Sequence, residues 1–265
     1  MTAAPVLKLD ARDAYEAIAP VYDTLTRGYP HDRWLAHLEQ LAIGHGLHGP
    51  RLLDVACGTG ASFLPMVDRG YSVTACDIAE GMLERAHAKA PEVRLERADM
   101  RRLPTLGSFD LVTCLDDALN YLLDEDELLR TLEGIARNLA PTGIAIWDLN
   151  TIAQYQGQFA HDHIVDGSDL YIGWGAKRDA PAISPGDVVD VAIDVFTEVG
   201  DLWRRSTSTH RQRHWPRETL ERLAPCAGLE LIDVRGQRPG VVIETDLDEL
   251  LHIKAIYLAV KTDRR

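Results

Sequence analysis

Cysteine is scarce in this chain. Cys57, Cys76, Cys114 and Cys226 are the full set in 265 residues, and no two form a CxxC pair. That argues against a disulfide scaffold and a thiolate metal site; the first three lie in or beside apolar runs, as reduced, small hydrophobes do. Basic residues are also short, 28 Lys and Arg against 41 Asp and Glu for a net charge of −13. Phosphate contacts need cations, so nucleic acid is disfavoured as a partner and a small molecule is favoured. No run approaches 18 apolar residues, and MTAAPVLKLDARDAY lacks the apolar centre of a leader, so we expect a cytoplasmic chain with no membrane partner. A GxxxxGK[ST] loop for nucleotide phosphates is missing too.

What is present centres on RLLDVACGTGASF, Arg51 to Phe63. It reads as a buried strand, an acidic strand end and a glycine turn opening into a helix, the means by which an open α/β sheet makes a nucleoside pocket. A dinucleotide fold asks for GxGxxG with a small last residue, whereas Gly58 and Gly60 are followed by Phe63. Asp54 before the turn would repel a pyrophosphate and suits a ligand carrying an ammonium and a sulfonium. A second apolar strand, Tyr71 to Cys76, ends in Asp77, at the spacing from Asp54 where a carboxylate accepts both ribose hydroxyls. A third, Val93 to Arg97, leads to Asp99 and Met100, an acceptor for the adenine amine and a thioether for its ring.

The 46% hydrophobic content supports one domain, with or without an insertion. Helical spacing around Tyr15, Ile18, Val21, Tyr22 and Leu25, then Trp34, Leu35, Leu38 and Leu41, predicts a helical lid over 1–50. From 51 to 150 strands alternate with helices at 60–69, 79–89 and 125–139, ending in a fifth strand at 144–149; this predicts a mostly parallel sheet. Residues 151–215 lose long helices and gain the alternation Val189, Val191, Ile193, Val195, predicting an insertion of two to four antiparallel strands punctuated by Gly157, Gly167, Gly173, Gly175, Pro181, Pro185 and Gly186. A helix at 216–226, strands at 229–235 and 254–261, and a short helical turn at 247–252 complete the core over 216–265.

LLDVACGTG, DIAEGMLERA, RADMRRL and FDLVTCLDDALNYL together resemble class I S-adenosylmethionine-dependent methyltransferases, over residues 12 to the end. IWDLNT and THRQRHWPRETLERLAPCAGLELIDV resemble a small-molecule subgroup that includes glycine N-methyltransferases and amino-sugar N-methyltransferases of natural-product pathways. The resemblance implies an α/β fold with a Rossmann-like, mostly parallel seven-stranded sheet, a helical N-terminal lid and an antiparallel β insertion after strand five. It implies S-adenosyl-L-methionine as cofactor, held by Tyr22, Trp34, Asp54, Ala56, Gly58, Gly60, Asp77, Met82, Asp99, Met100 and Leu115, with Tyr22 and Trp34 closing on its methionine end. The expected activity is methyl transfer to a nitrogen of a small metabolite, with an oxygen acceptor or a cofactor-binding regulatory protein as alternatives. A nucleobase acceptor is disfavoured, because CLDDALNY stands where a [DN]PP[YFW] loop would.

In-line transfer from a sulfonium asks mainly for positioning and exclusion of water, but a protonated amine must first lose a proton. Asp117 is the candidate proton acceptor or amine anchor, with an N-cap as its alternative, and Asn120 and Tyr15 are the other candidate catalytic residues. Asp148 and Asn150 end strand five within reach of a substrate or as caps. His210 and His214 stand four apart without an HExxH context, so no metal site is expected. Arg204, Arg205, Arg211, Arg213 and Arg217 read as a strand face paired with acids, with an anion site as the alternative. The insertion's edge strands need cover, which leaves a homo-oligomer open.

Overall fold

The computed structural model describes residues 10–167, 170–176 and 183–262; Pro181 and the first nine residues of the expected lid lie outside the described residues. Three helices come first, α1 (Ala11–Ile18), α2 (Tyr22–Thr26) and α3 (His31–Gly44). The core then alternates: β1 (Arg51–Val55), α4 (Leu64–Asp68), β2 (Ser72–Asp77), α5 (Glu80–Lys89), β3 (Arg94–Arg97), β4 (Phe109–Cys114), α6 (Glu125–Asn138) and β5 (Leu139–Asn150). After α7 (Ile152–Gln156) come β6 (His163–Asp166), β7 (Leu170–Ala176), β8 (Val188–Val199) and β9 (Leu202–Arg213). The chain closes with α8 (Arg217–Cys226), β10 (Leu229–Arg238), β11 (Val242–Glu244) and β12 (Lys254–Lys261).

The large sheet runs β11-β10-β12-β5-β4-β1-β2-β3. It is the expected seven strands with the three-residue β11 added at one edge. β3, β2, β1, β4 and β5 pair in parallel, and β12 lies antiparallel between β5 and β10. β1 and β4 are buried on both faces because helices cover both, which is why they read as continuous apolar runs. The second sheet, β6-β7-β8-β9, is antiparallel throughout, the upper limit of the expected insertion.

Boundaries move where local chemistry overrides periodicity. The helix expected at 60–69 begins only at Leu64, after a run of turns, because Gly60 has φ 93° and leaves helical geometry. A Cβ on Gly60 would stand 2.8 Å from the Phe63 ring. At 247–252 only a hydrogen-bonded turn forms, with Asp248 accepting from Leu251 and His252. α6 starts as its acidic run suggests: Asp124 accepts from the Glu127 N–H at 2.8 Å, and Glu127 accepts in turn from Leu123.

α5 has no side-chain cap of its own, since Ala79 precedes it. Glu16, from α1, supplies one across space, accepting from Glu80 N–H at 2.5 Å and Gly81 N–H at 3.0 Å. Asp23 of α2 fastens the other side, accepting from the Thr59 hydroxyl at 2.5 Å and the Lys89 ammonium at 2.7 Å. Between these polar ties, Ile18, Ala19 and Val21 of the lid pack with Ala79 and Met82 of the core and with Ile172, Ile193 and Val195 of the small sheet. The lid is thus wedged between the two sheets, over the carboxyl ends of the parallel strands.

Candidate active site

At the end of β1 the chain reverses through Ala56, Gly58 and Gly60, all at positive φ. Gly58 lies under the lid, 3.8 Å separating the place of its missing Cβ from the Tyr22 ring. Asp77, ending β2, accepts from the Gly58 N–H at 2.8 Å and the Ala79 N–H at 2.9 Å, and burial raises its pKa. These groups open on a cleft of about 850 Å³. Of the residues proposed from sequence, Tyr15, Tyr22, Ala56, Gly58, Asp77, Asp99, Met100 and Leu115 line it.

Four proposed cofactor residues stand behind the cleft wall instead. Asp54 is buried beneath the turn, its carboxylate accepting from Ser62 at 2.5 Å and Thr113 at 2.7 Å, and burial pushes it up to about 7. It braces the first turn, with both oxygens taken up by these hydroxyls. Gly60 shapes the reversal. Met82 is fully buried under the lid, and Trp34 is fully buried in the core. Trp34 faces the Lys254 ammonium, 5.5 Å from the ring centroid, and the edges of Tyr29 and His31; apolar spacing on α3 places it in the core and outside the cleft wall. Asp99 stays in the wall but is gripped by the Arg101 guanidinium at 2.8–3.0 Å, which outweighs burial and lowers its pKa.

A second space, about 1980 Å³, lies between the lid and the small sheet. Tyr15, Tyr22, Asp116 and Tyr121 line both spaces and form their common wall. Tyr15 packs edge-on to Tyr22 and His210 and tilted on Tyr121, at 5.2–6.0 Å between centroids. Asp116 and Asp117 both adopt left-handed backbone, φ 56° and 55°, a strained geometry for consecutive non-glycine residues. The pair is pinned from several sides. Asp148 accepts from the Asp117 N–H at 3.1 Å; Gln212 donates to Asp117 at 2.6 Å; Lys254 donates to Asp148 at 2.5 Å and to Asp117 at 3.3 Å. Burial would lower the Lys254 pKa, but Asp148 and Asp117 reverse this and hold it well above its ordinary value. Asp117 itself is raised, burial and Asp116 outweighing Lys254 and Gln212.

Asp117 therefore lines the second space with both oxygens engaged, while Asp116, not singled out from sequence, accepts through Oδ2 from His31 Nε2 at 3.0 Å. His31 opposes burial and holds the Asp116 carboxyl below its usual range. Asn120 is a scaffold residue: buried, it donates to the Arg213 carbonyl at 2.8 Å and accepts from the Asn150 N–H at 2.9 Å. His210 hydrogen-bonds Tyr121 at 2.9 Å and burial drops it to about 4, so it is a neutral acceptor or donor there. His214 points elsewhere, toward Glu249 at 3.2 Å, and no metal-ligating cluster occurs among the described residues. Arg205 pairs with Asp194, Arg211 with Asp190 and Arg217 with Glu221, while Arg213 lies over Trp215.

A cleft at the carboxyl ends of parallel strands, with a glycine turn, an acidic second-strand end and a thioether, has the make-up of a nucleoside-binding site. Comparison with known proteins names the class. A methyltransferase-domain family model matches residues 52–143. A putative methyltransferase of Geobacillus sp. (strain WCH70) is 37% identical over 228 residues, 83% of this chain and 90% of that protein. The dTDP-3-amino-3,6-dideoxy-alpha-D-glucopyranose N,N-dimethyltransferase of Streptomyces fradiae is 26% identical over 240 residues, 87% of this chain and 90% of that one. A crystal structure of an S-adenosylmethionine-dependent methyltransferase from Clostridium acetobutylicum superposes with TM-score 0.78 over 94% of this chain and 99% of that one, at 23% identity. This chain belongs to the S-adenosylmethionine-dependent methyltransferases, and S-adenosylmethionine is its cofactor. The cleft fits that molecule: the Asp77 carboxylate has lone pairs beyond its two backbone bonds, and the Gly58 turn leaves its floor free of side chain.

Proposed function

We infer that this methyltransferase acts on a nitrogen of a small metabolite, an amino sugar, amino acid derivative or natural-product intermediate. The observation that carries the reading is the common wall between cleft and cavity, where aromatic rings meet the Asp116 carboxylate, with Asp117 beside it in the second space. That combination attracts an amine in its ammonium form and keeps it beside the transferable methyl. Asp77 accepts the ribose hydroxyls, Asp99 and Met100 take the adenine edge and face, and Leu115 and Tyr22 enclose the rest. The methyl group of the bound cofactor is electrophilic as it stands, so the chain's task is to align the lone pair and exclude water. The reading extends to a small-molecule partner, with neither nucleic acid nor membrane, in cytoplasmic small-molecule biosynthesis, antibiotic pathways included.

Calorimetric titration with S-adenosylmethionine and its demethylated product, followed by mass-spectrometric screening of amines for gain of one CH₂, tests this. Binding with a methylated amine is expected; methylated hydroxyls alone would replace the nitrogen reading, and binding without any product would favour a regulatory role.

A further inference from the structure

Asp116 touches both spaces, yet its partner His31 comes from the first turn of α3, on the lid. His31 also lines the acceptor cavity, and its side chain remains 12% exposed, giving it one side toward Asp116 and another toward water. The neighbouring Asp117 is unsuited to contact the acceptor in turnover, because Lys254 and Gln212 already occupy its oxygens. Asp116 has one oxygen on His31, and among the described residues no hydrogen bond is made to the other.

We propose that Asp116 and His31 form the proton outlet of the reaction, Asp116 contacting the acceptor ammonium and His31 passing its proton to solvent. The inference rests on the nitrogen-acceptor reading above. An N–H bond of the ammonium breaks as the proton moves to an Asp116 oxygen, and the His31 imidazole, in the tautomer that carries its hydrogen on Nδ1, accepts that proton at Nε2. The freed lone pair forms the C–N bond while the C–S bond breaks, its electrons staying on sulfur as a thioether. The imidazolium then releases its Nδ1 hydrogen to water, which leaves Nε2–H donating to the Asp116 carboxylate, and exchange of the ring hydrogen through water restores the accepting tautomer. Asp116 is the catalytic residue and His31 the positioning and relay partner. Imidazole suits the task because one ring nitrogen can take a proton while the other gives one up. The left-handed backbone at Asp116 has a use here, since it turns the carboxylate into the wall shared by the two spaces.

The pair is tested in two arms. With dTDP-3-amino-3,6-dideoxy-alpha-D-glucopyranose and glycine as acceptor probes, His31→Gln should lower kcat by about 10²-fold at neutral pH. The deficit should shrink as pH rises and the free amine predominates, with affinity for S-adenosylmethionine unchanged. An equal loss at every pH, or one accompanied by weaker cofactor binding, marks a merely structural lid contact and overturns the proposal. The second arm needs no acceptor: a carbon NMR titration of the Asp116 carboxyl in the intact protein, with and without His31→Gln. Tyr22, Tyr29, Asp54, Asp117, Asp148 and Lys254 also act on this carboxyl and are the same in both proteins. The Asp116 pKa should rise when His31 is replaced; an unchanged value overturns the pair. If the wild type methylates neither probe, that failure belongs to the substrate reading, and an unchanged Asp116 pKa in the titration still overturns the proton outlet.

Discussion

The Lys254 ammonium lies 2.5 Å from the Asp148 carboxylate with both side chains almost wholly withdrawn from water, at 7% and 0% exposure. This pair fixes the strained Asp116-Asp117 turn: Asp148 holds the Asp117 N–H, and Lys254 holds its carboxylate.

Breaking one partner should be costly, because the other charge is left buried and unpaired. Lys254→Met is expected to destabilise the protein by about 3–5 kcal/mol, with Lys254→Met combined with Asp148→Leu recovering part of it. Urea unfolding checks this, and a single variant as stable as the parent sinks the argument.

Asp54 makes stability depend on pH in an unusual direction for a carboxylate. Its folded pKa, pushed up to about 7 by burial, exceeds its unfolded value near 4, so the folded protein binds an extra proton between them. The stabilisation is complete below about pH 4 and is lost as pH rises through about 7, with a slope of up to about 1.4 kcal/mol per unit. Asp54→Asn should flatten that slope in unfolding curves taken across the window; an unaltered slope would show that Asp54 is ionised throughout.

Asp77→Ala removes the acceptor assigned to the ribose hydroxyls and also frees the backbone N–H groups of Gly58, in the glycine turn, and Ala79, before α5. Affinity for S-adenosylmethionine should fall by about 1.5–3 kcal/mol, as read by calorimetry. Undiminished affinity would remove Asp77 from the site.

Glu16→Ala leaves the first turn of α5 uncapped and loosens the lid. A stability loss of about 1 kcal/mol is expected. Limited proteolysis should cut the segment before α3 sooner in this variant, and equal cutting rates would mean that the apolar wedge around Ile18 suffices alone.

Much of the cofactor side was legible because its signals are local. A glycine turn after an apolar strand, and acids ending successive strands, carry their geometry within a few residues. What stayed hidden depends on distant partners. Trp34 and Met82 have the spacing of core residues, and only the folded lid shows that their rings and thioether face inward. Asp116 and Asp117 are adjacent and chemically identical in sequence; the left-handed turn separates their roles by giving one to His31 and the other to Lys254. Lys254 did leave a trace, a cation opening the strand KAIYLAVK ahead of six uncharged residues, with Lys261 at its far end. A charge so placed must find a buried counter-charge, and that would have drawn attention to Asp148.

The cap that Glu16 places on α5 has a consequence for the newborn chain. Its two ends are 64 residues apart in sequence, and the acceptor end is made first. At a synthesis rate of about 5–20 residues per second, several seconds pass before Glu80 follows Glu16 from the ribosome. Throughout that interval α1 has neither its helix to cap nor the small sheet to bury Ile18. The segment that closes the active site is thus born first and finished late, and the mature enzyme acquires its roof only after its floor and walls exist.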